Sequence, residues 1–368
     1  MKNRLMAIIT CLLILIITVI GIILGFNRIK NIEIKEDELM VVTTLFPQYD
    51  FAKQILGDKG TVSMLLPAGT DVHSYEPTPL DIIKMNKADI FIYTGETMEP
   101  WATTIAESID TDTTILDVSK NINLIDKHDI EEYEQISFEE NHEHDEHTHS
   151  SDPHIWLNLD NAIIMIENIK NQIIEIDKEN KEYYEKNALE YIRKIKELSQ
   201  KFDNISKELE TETMVFAGPF AYSYFIDRYK IKYIAAYESC GEDVEPSVSK
   251  IKEIITYIKE KNISSIYYKE LSNGNVAEMI ANDTGVQKFV FNTLANPDKK
   301  SFDEGKTYID LMTENLIKES VKNSDYVIEI DLRDVKPFSI SKLDFCYKEG
   351  YMQTVDNIKR IKKELQIK

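Results

Sequence analysis

Apolar and polar residues follow one another along the chain in short blocks that predict alternating strands and helices. The first apolar, β-branched block, residues 40–46, predicts a strand, and a helix is predicted over residues 48–58. Further strands are predicted over 61–66 and 88–93, with a helix over 80–87 between them. Because strands that alternate with helices pair in parallel, this part of the chain is expected to form an α/β lobe.

The second half of the chain repeats the same alternation. Strands are predicted over 214–217, 232–237, 264–268 and 289–291, and helices over 222–229, 247–261, 276–284 and 308–322. We therefore expect a second α/β lobe with a parallel sheet of its own.

A long amphipathic segment, residues 159–210, connects the two lobes. Isoleucine recurs in it at steps of three and four residues, at positions 163, 166, 169, 173 and 176. Pro and Gly are absent from residues 154–217. The pattern predicts one long rigid helix, with two helices broken near residues 185–187 as the alternative.

The N-terminus carries an apolar run, residues 7–26, of the length that a helix needs to cross a bilayer, about 20 residues. Lys2 and Arg4 precede the run, and no A-x-A cleavage pattern ends it. We favour an uncleaved signal anchor; a cleaved signal peptide and a buried core helix are the alternatives. Either form of export places residues 30–368 outside the cytoplasmic membrane.

The predicted organisation therefore has six parts. They are a signal anchor at 1–29, a linker at 30–39, an N-terminal α/β lobe at 40–158 that includes a His-rich loop at 140–153, a connecting helix at 159–210, a C-terminal α/β lobe at 211–322 and an extension at 323–368.

Net charge and cysteine content argue against nucleic-acid binding and against a disulfide scaffold. The 368 residues include 43 Lys and Arg against 64 Asp and Glu, a formal net charge of −21. Binding to nucleic acid is not expected, because it depends on neutralising phosphates with basic residues. Three cysteines are too few for a disulfide scaffold. Cys240 and Cys346 could pair, whereas Cys11 lies in the apolar N-terminal run.

Histidine is concentrated in the first half of the chain. Four of the seven histidines lie in one acidic octapeptide: His142, His144, His147 and His149. Neutral imidazole is a common zinc ligand and carboxylates assist it, so this loop is expected to collect divalent ions; a solvated acidic loop is the alternative. The octapeptide is not H-E-x-x-H, and the chain contains no G-x-S-x-G or Walker motif. We therefore predict that the protein is not an enzyme.

Two further histidines, His73 and His154, lie in a proline-bounded loop and at the start of an apolar segment, respectively. His73 lies in a proline-bounded loop after a predicted strand, and ligands of α/β sheets bind at the carboxyl ends of strands. His154 follows the His-rich loop and begins an apolar segment. Each is a candidate ligand, with an ordinary hydrogen-bonded loop or core histidine as the alternative.

Several motifs, in order, resemble the zinc/manganese substrate-binding proteins of ABC importers. They are VTTLFP (42–47), DVHSYEPTP (71–79), YTG (93–95) with MEPW (98–101), the His-rich loop, DPHIWLNLDNA (152–162), EPS (245–247) and TYIDLMTEN (307–315). The resemblance covers about residues 40–320. It implies two α/β lobes bridged by one long helix, with a metal cleft between the lobes.

The resemblance also implies a ligand set. His73 and His154 match two of the family's ligand positions, but Pro219 falls at the third and Asn292 near the fourth. Glu270 is the tentative replacement, with a surface carboxylate as the alternative. Other candidates are Glu238, Cys240 and a histidine of the 142–149 segment.

We therefore expect a receptor that captures Zn²⁺, with Mn²⁺ the weaker candidate, because imidazole suits zinc whereas oxygen donors suit manganese. It would be a monomer, anchored in the cell membrane with its lobes on the extracellular face, and would deliver the ion to an ABC permease. The alternative is a metal-independent adhesion or interaction module on the same fold.

Overall fold

The computed structural model describes residues 38–109, 112–125, 152–209, 213–237 and 246–321. Within these ranges no helix combines the length and apolarity that a membrane span requires. Several sequence predictions lie outside the described residues: the signal anchor, the C-terminal extension, and residues His142, His144, His147, His149, Glu238, Cys240 and Cys346.

The N-terminal lobe is built on a four-stranded parallel sheet in the order β2-β1-β3-β4. Its elements are β1 (Leu39–Thr43), α1 (Phe46–Leu56), β2 (Gly60–Met64), α2 (Pro79–Met85), β3 (Ile90–Tyr93), α3 (Pro100–Ala106) and β4 (Thr114–Asp117). The predicted elements are confirmed within a few residues, whereas α3 and β4 were missed because they are too short to show a period. Thr78 begins α2 as an N-cap, and Asp81 completes a capping box.

Two helices, not one, connect the lobes. A short 3₁₀ helix (Ile155–Leu157) leads into α4 (Leu159–Ile176), and α5 (Lys181–Leu209) follows. The break lies N-terminal to the predicted one, because the Asp177 carboxylate ends α4 by accepting bonds from the Asn180 side chain (2.7 Å) and the Tyr184 hydroxyl (2.6 Å).

The C-terminal lobe repeats the same topology, with strand order β6-β5-β7-β8. Its elements are β5 (Thr213–Phe216), α6 (Ser223–Tyr229), β6 (Lys232–Ala235), α7 (Val248–Lys261), β7 (Ser265–Lys269), α8 (Asn275–Thr284), β8 (Gln287–Phe291), α9 (Lys299–Asp303) and α10 (Tyr308–Val321). All strand pairs in both sheets are parallel. The predicted class, two α/β lobes with parallel sheets, is confirmed.

The last helix of the second lobe locks the two lobes together. It packs against α1 and α5, and one continuous hydrophobic core includes residues of both lobes. Asp50 on α1 is buried and accepts hydrogen bonds from the Tyr191 hydroxyl on α5 and from the Tyr308 backbone N (3.0 Å). Burial raises the pKa of Asp50. These contacts fix the orientation of the loops that face each other across the interlobe cleft.

Candidate metal centre

A small cavity lies between the lobes, where the loops after β2, β7 and β8 meet. His73, His154, Lys269, Glu270, Thr293 and Asn296 are among the residues that line it. Its volume is about 20 Å³. About 10–15 Å³ suffices for one water molecule, so the cavity suits a single ion better than an organic ligand.

The fold brings His73 and His154 together. Their ring centroids are 5.7 Å apart and the rings are inclined at 67°. The loop that carries His73 is shaped by Asp71, whose Oδ1 accepts from the backbone N of His73 (2.9 Å) and of Ser74 (3.2 Å). The two imidazoles predicted from sequence as ligands therefore share one cavity.

His154 is buried and oriented by a carboxylate. Its Nδ1 lies 2.9 Å from Asp152 Oδ1, and its backbone N donates to the same oxygen at 2.8 Å. Burial alone would raise the pKa of Asp152, but the interactions with His154 outweigh it and lower this pKa to about 2. An ionised carboxylate only accepts, so it holds a proton on Nδ1 and leaves Nε2 as the ring nitrogen that can bind an ion.

His73 lies at the mouth of the cavity. Although the residue as a whole is exposed, desolvation of its ring, followed by the adjacent His154, lowers the pKa of His73 to about 4. The ring is therefore neutral near pH 7, which is the form that binds metal ions.

Glu270 follows β7 and is held by the loop after β8. Its Oε2 accepts from the backbone N of Thr293 (2.7 Å) and its Oε1 from the Thr293 hydroxyl (2.6 Å). Burial raises its pKa. Leu271 and Leu294, in the same two loops, have φ values of 62° and 60°. This conformation is strained for a bulky side chain, and such strain concentrates at binding sites.

The described ranges contain no ready cluster of three His, Cys, Asp or Glu side chains that could hold a metal ion. Glu270 lines the cavity with the two histidines, but both of its oxygens are hydrogen-bonded to Thr293. The chain thus presents an imidazole pair and a carboxylate that would have to turn, or share its lone pairs, to join them.

Asn296 is a candidate metal ligand that the sequence analysis did not identify. Its Nδ2 donates to the carbonyl oxygens of Pro67 and Thr70, both at 2.8 Å, across the cleft. Its Oδ1 is buried with no hydrogen-bond partner. A buried acceptor without a donor is costly, so this oxygen suits an ion or an ion-bound water. The sequence signal was weak: an Asn before a proline, four residues beyond the position that the motif suggested.

The two positions that the resemblance left without a usual ligand are not among the lining residues. Asn292 lies on the side of β8 that faces α10, where its backbone N donates to Asn315 Oδ1 (2.8 Å) and its side chain to Glu314 (3.4 Å). Pro219 is buried and does not line the cavity either. Neither side chain is therefore among the residues that line the cavity, and the placement of the family's fourth ligand position near Asn292 stays a prediction.

Comparisons with known proteins agree with this architecture. The family described as zinc-uptake complex component A, periplasmic (ZnuA), matches residues 41–318. The chain is 37% identical to the high-affinity zinc uptake system protein ZnuA of Bacillus subtilis over 283 residues, 77% of this chain and 86% of that protein.

The chain is also similar to a longer zinc-binding protein and to a single domain of such a protein. The zinc-binding protein AdcA of Streptococcus pyogenes serotype M18 is 32% identical over 286 residues, and the match spans 76% of this chain but 55% of AdcA. The crystal structure of the Zn(II)-bound ZnuA-like domain of Streptococcus pneumoniae AdcA superposes with a TM-score of 0.64 at 28% identity, covering 77% of this chain and 98% of that domain.

Proposed function

The chain belongs to the family of zinc-uptake complex component A proteins, and we propose that it captures a zinc ion outside the cytoplasmic membrane and delivers it to an ABC permease. The observation that carries this proposal is the imidazole pair of His73 and His154 in an ion-sized cavity between two lobes. In this proposal the receptor acts as a monomer, held at the membrane by the apolar N-terminal run.

The proposed zinc donors are His73, His154 and Glu270, with Asn296 Oδ1 as the fourth. Two imidazole nitrogen donors favour zinc over manganese, which prefers oxygen ligands. Asn296 supports the set because its oxygen is buried without a partner. An amide in place of a second carboxylate leaves the bound ion with a residual positive charge, which suits a receptor that must release its cargo.

The His-rich loop is proposed to collect ions for the cleft. His142, His144, His147 and His149 are interleaved with acids, which suits weak, exchangeable binding of divalent cations.

A zinc titration against a chromophoric chelator tests the proposed function. We expect one tightly bound zinc per chain, and retention of that site after deletion of residues 140–150. Loss of the tight site on deletion would instead assign a ligand to the loop. Absence of tight zinc binding, together with metal-independent binding to a host or wall component, would contradict the proposal and favour the adhesion alternative.

The variant Asp152→Asn tests how His154 is oriented. An amide keeps the shape but no longer enforces the Nδ1-protonated ring, so zinc affinity is expected to fall by about 10- to 100-fold. The same chelator competition measures it. The matched control is Asp160→Asn, an exposed carboxylate on α4 paired with Arg228, which should leave the affinity unchanged. Equal affinities of wild type and Asp152→Asn would contradict this orienting role.

A further inference from the structure

The cleft contains a buried positive charge among the candidate donors. Lys269, the last residue of β7, is 8% exposed and lines the same cavity as His73 and Glu270. Its Nζ lies 3.5 Å from Asp71 Oδ2. Because Asp71 belongs to the N-terminal lobe and Lys269 to the C-terminal lobe, this ion pair crosses the cleft beside the proposed zinc site.

Lys269 lies among candidate ligands from both sides of the cavity. His73 is contributed by the loop after β2 in the N-terminal lobe, and Glu270 follows Lys269 directly in the C-terminal lobe. A cation that lines the same small cavity as these groups also repels a divalent ion that they would bind.

We propose that Lys269 is a resident cation that limits the zinc affinity of the cleft and keeps the ion exchangeable, and that Asp71 offsets this repulsion. The inference rests on the proposed zinc-capture function. An entering zinc ion meets the ammonium group in a poorly solvated space, where charge repulsion is stronger than in water. Lys269 thereby sets how readily the receptor gives up its cargo.

The geometry of Asp71 allows this role to be separated from a merely structural one. Its Oδ1 shapes the His73 loop by accepting from two backbone N–H groups, while its Oδ2 faces Lys269. The variant Asp71→Asn keeps the amide oxygen that the turn needs and removes the negative charge. Lys269→Met keeps the length of the side chain and removes the positive charge.

Both variants break the same ion pair, but they change the charge of the cleft in opposite directions. If the pair only braced the lobes, both would weaken zinc binding. If Lys269 acts by its charge, Lys269→Met is expected to tighten zinc binding about tenfold or more, and Asp71→Asn to weaken it by a similar factor. The double variant is expected to return to within about threefold of wild type.

The experiment is chelator competition with zinc on the wild type, both single variants and the double variant, with zinc release followed by stopped flow. Lys288→Met is the control, because Lys288 pairs with Glu278 on the protein surface outside the cleft; its zinc affinity should equal that of wild type. Urea unfolding of each metal-free variant identifies any that fails to fold, and Lys269→Gln then replaces Lys269→Met.

Tighter zinc binding by Lys269→Met together with weaker binding by Asp71→Asn supports the inference, and shifts in the reverse directions would overturn it. Zinc binding by wild type, with both single variants shifted in the same direction or not at all, would overturn the inference and leave the proposed function standing. Absence of zinc binding in wild type and in every variant would overturn both.

Discussion

Replacing His73 and His154 together with alanine is expected to weaken zinc binding by at least about 1000-fold, or about 4 kcal/mol. The double variant removes the two nitrogen donors of the cavity and leaves the oxygens of Glu270 and Asn296, which bind zinc weakly without imidazole. Competition with a chromophoric chelator of high zinc affinity measures the change.

The matched control removes two imidazoles from the accessory loop. His147→Ala/His149→Ala is expected to bind zinc within about threefold of wild type, since the proposed collecting loop is not part of the proposed donor set. A large loss in this control would instead place a loop imidazole on the ion. If the His73/His154 double variant binds zinc as tightly as wild type while its circular dichroism spectrum is unchanged, the cleft is not the site.

The second large effect is expected at Trp156, which is completely buried. Trp156→Ala should lower the free energy of unfolding by about 4 kcal/mol, because it leaves a cavity where the largest side chain of the core packed. Trp156 also connects the two lobes. Its ring Nε1 donates to the Thr293 carbonyl (2.7 Å), and its backbone carbonyl accepts from the Tyr308 hydroxyl.

Trp156→Phe separates the hydrogen bond from the packing. It retains most of the apolar volume but leaves the Thr293 carbonyl without a donor, which should cost about 1–3 kcal/mol. Because Thr293 also holds Glu270, this variant is expected to weaken zinc binding as well. Urea unfolding followed by far-UV circular dichroism measures the first effect and chelator competition the second.

The matched control for this series is Trp101→Phe. Trp101 is partly exposed and packs edge-on against Tyr75 at 5.6 Å, so its replacement should change the free energy of unfolding by less than about 1 kcal/mol. Equal effects of Trp156→Phe and Trp101→Phe would contradict the role assigned to the Thr293 hydrogen bond.

Local pattern was sufficient for most of the fold. Strands such as β3, whose side chains are almost all buried, are short apolar runs between turn residues, and α7 repeats its apolar residues at helical spacing. Both features depend only on residues that are close together in the chain, so the sequence alone predicts them. The connecting helices show where prediction from local pattern fails. The break at Asp177 depends on side-chain hydrogen bonds, and the spacing of apolar residues gives no information about these bonds.

The sequence identified the two candidate histidine ligands separately, without showing that they lie together. His73 was identified by its place after a strand and His154 by its place after the His-rich loop, and the resemblance to a family joined them. Their proximity, and the carboxylate of Asp152 that aligns His154, are properties of the packed lobes.

By itself the sequence determined most of the elements, the two-lobe α/β class and the two candidate imidazoles. Tertiary structure alone decided that Asn296, not Asn292, lines the cavity, and that the charge of Lys269 lies beside the donors. The physical reason is that secondary structure follows from contacts between near neighbours in the chain. A site between two lobes instead depends on which loop ends meet once Asp50, Tyr308 and Trp156 have fixed how the lobes pack.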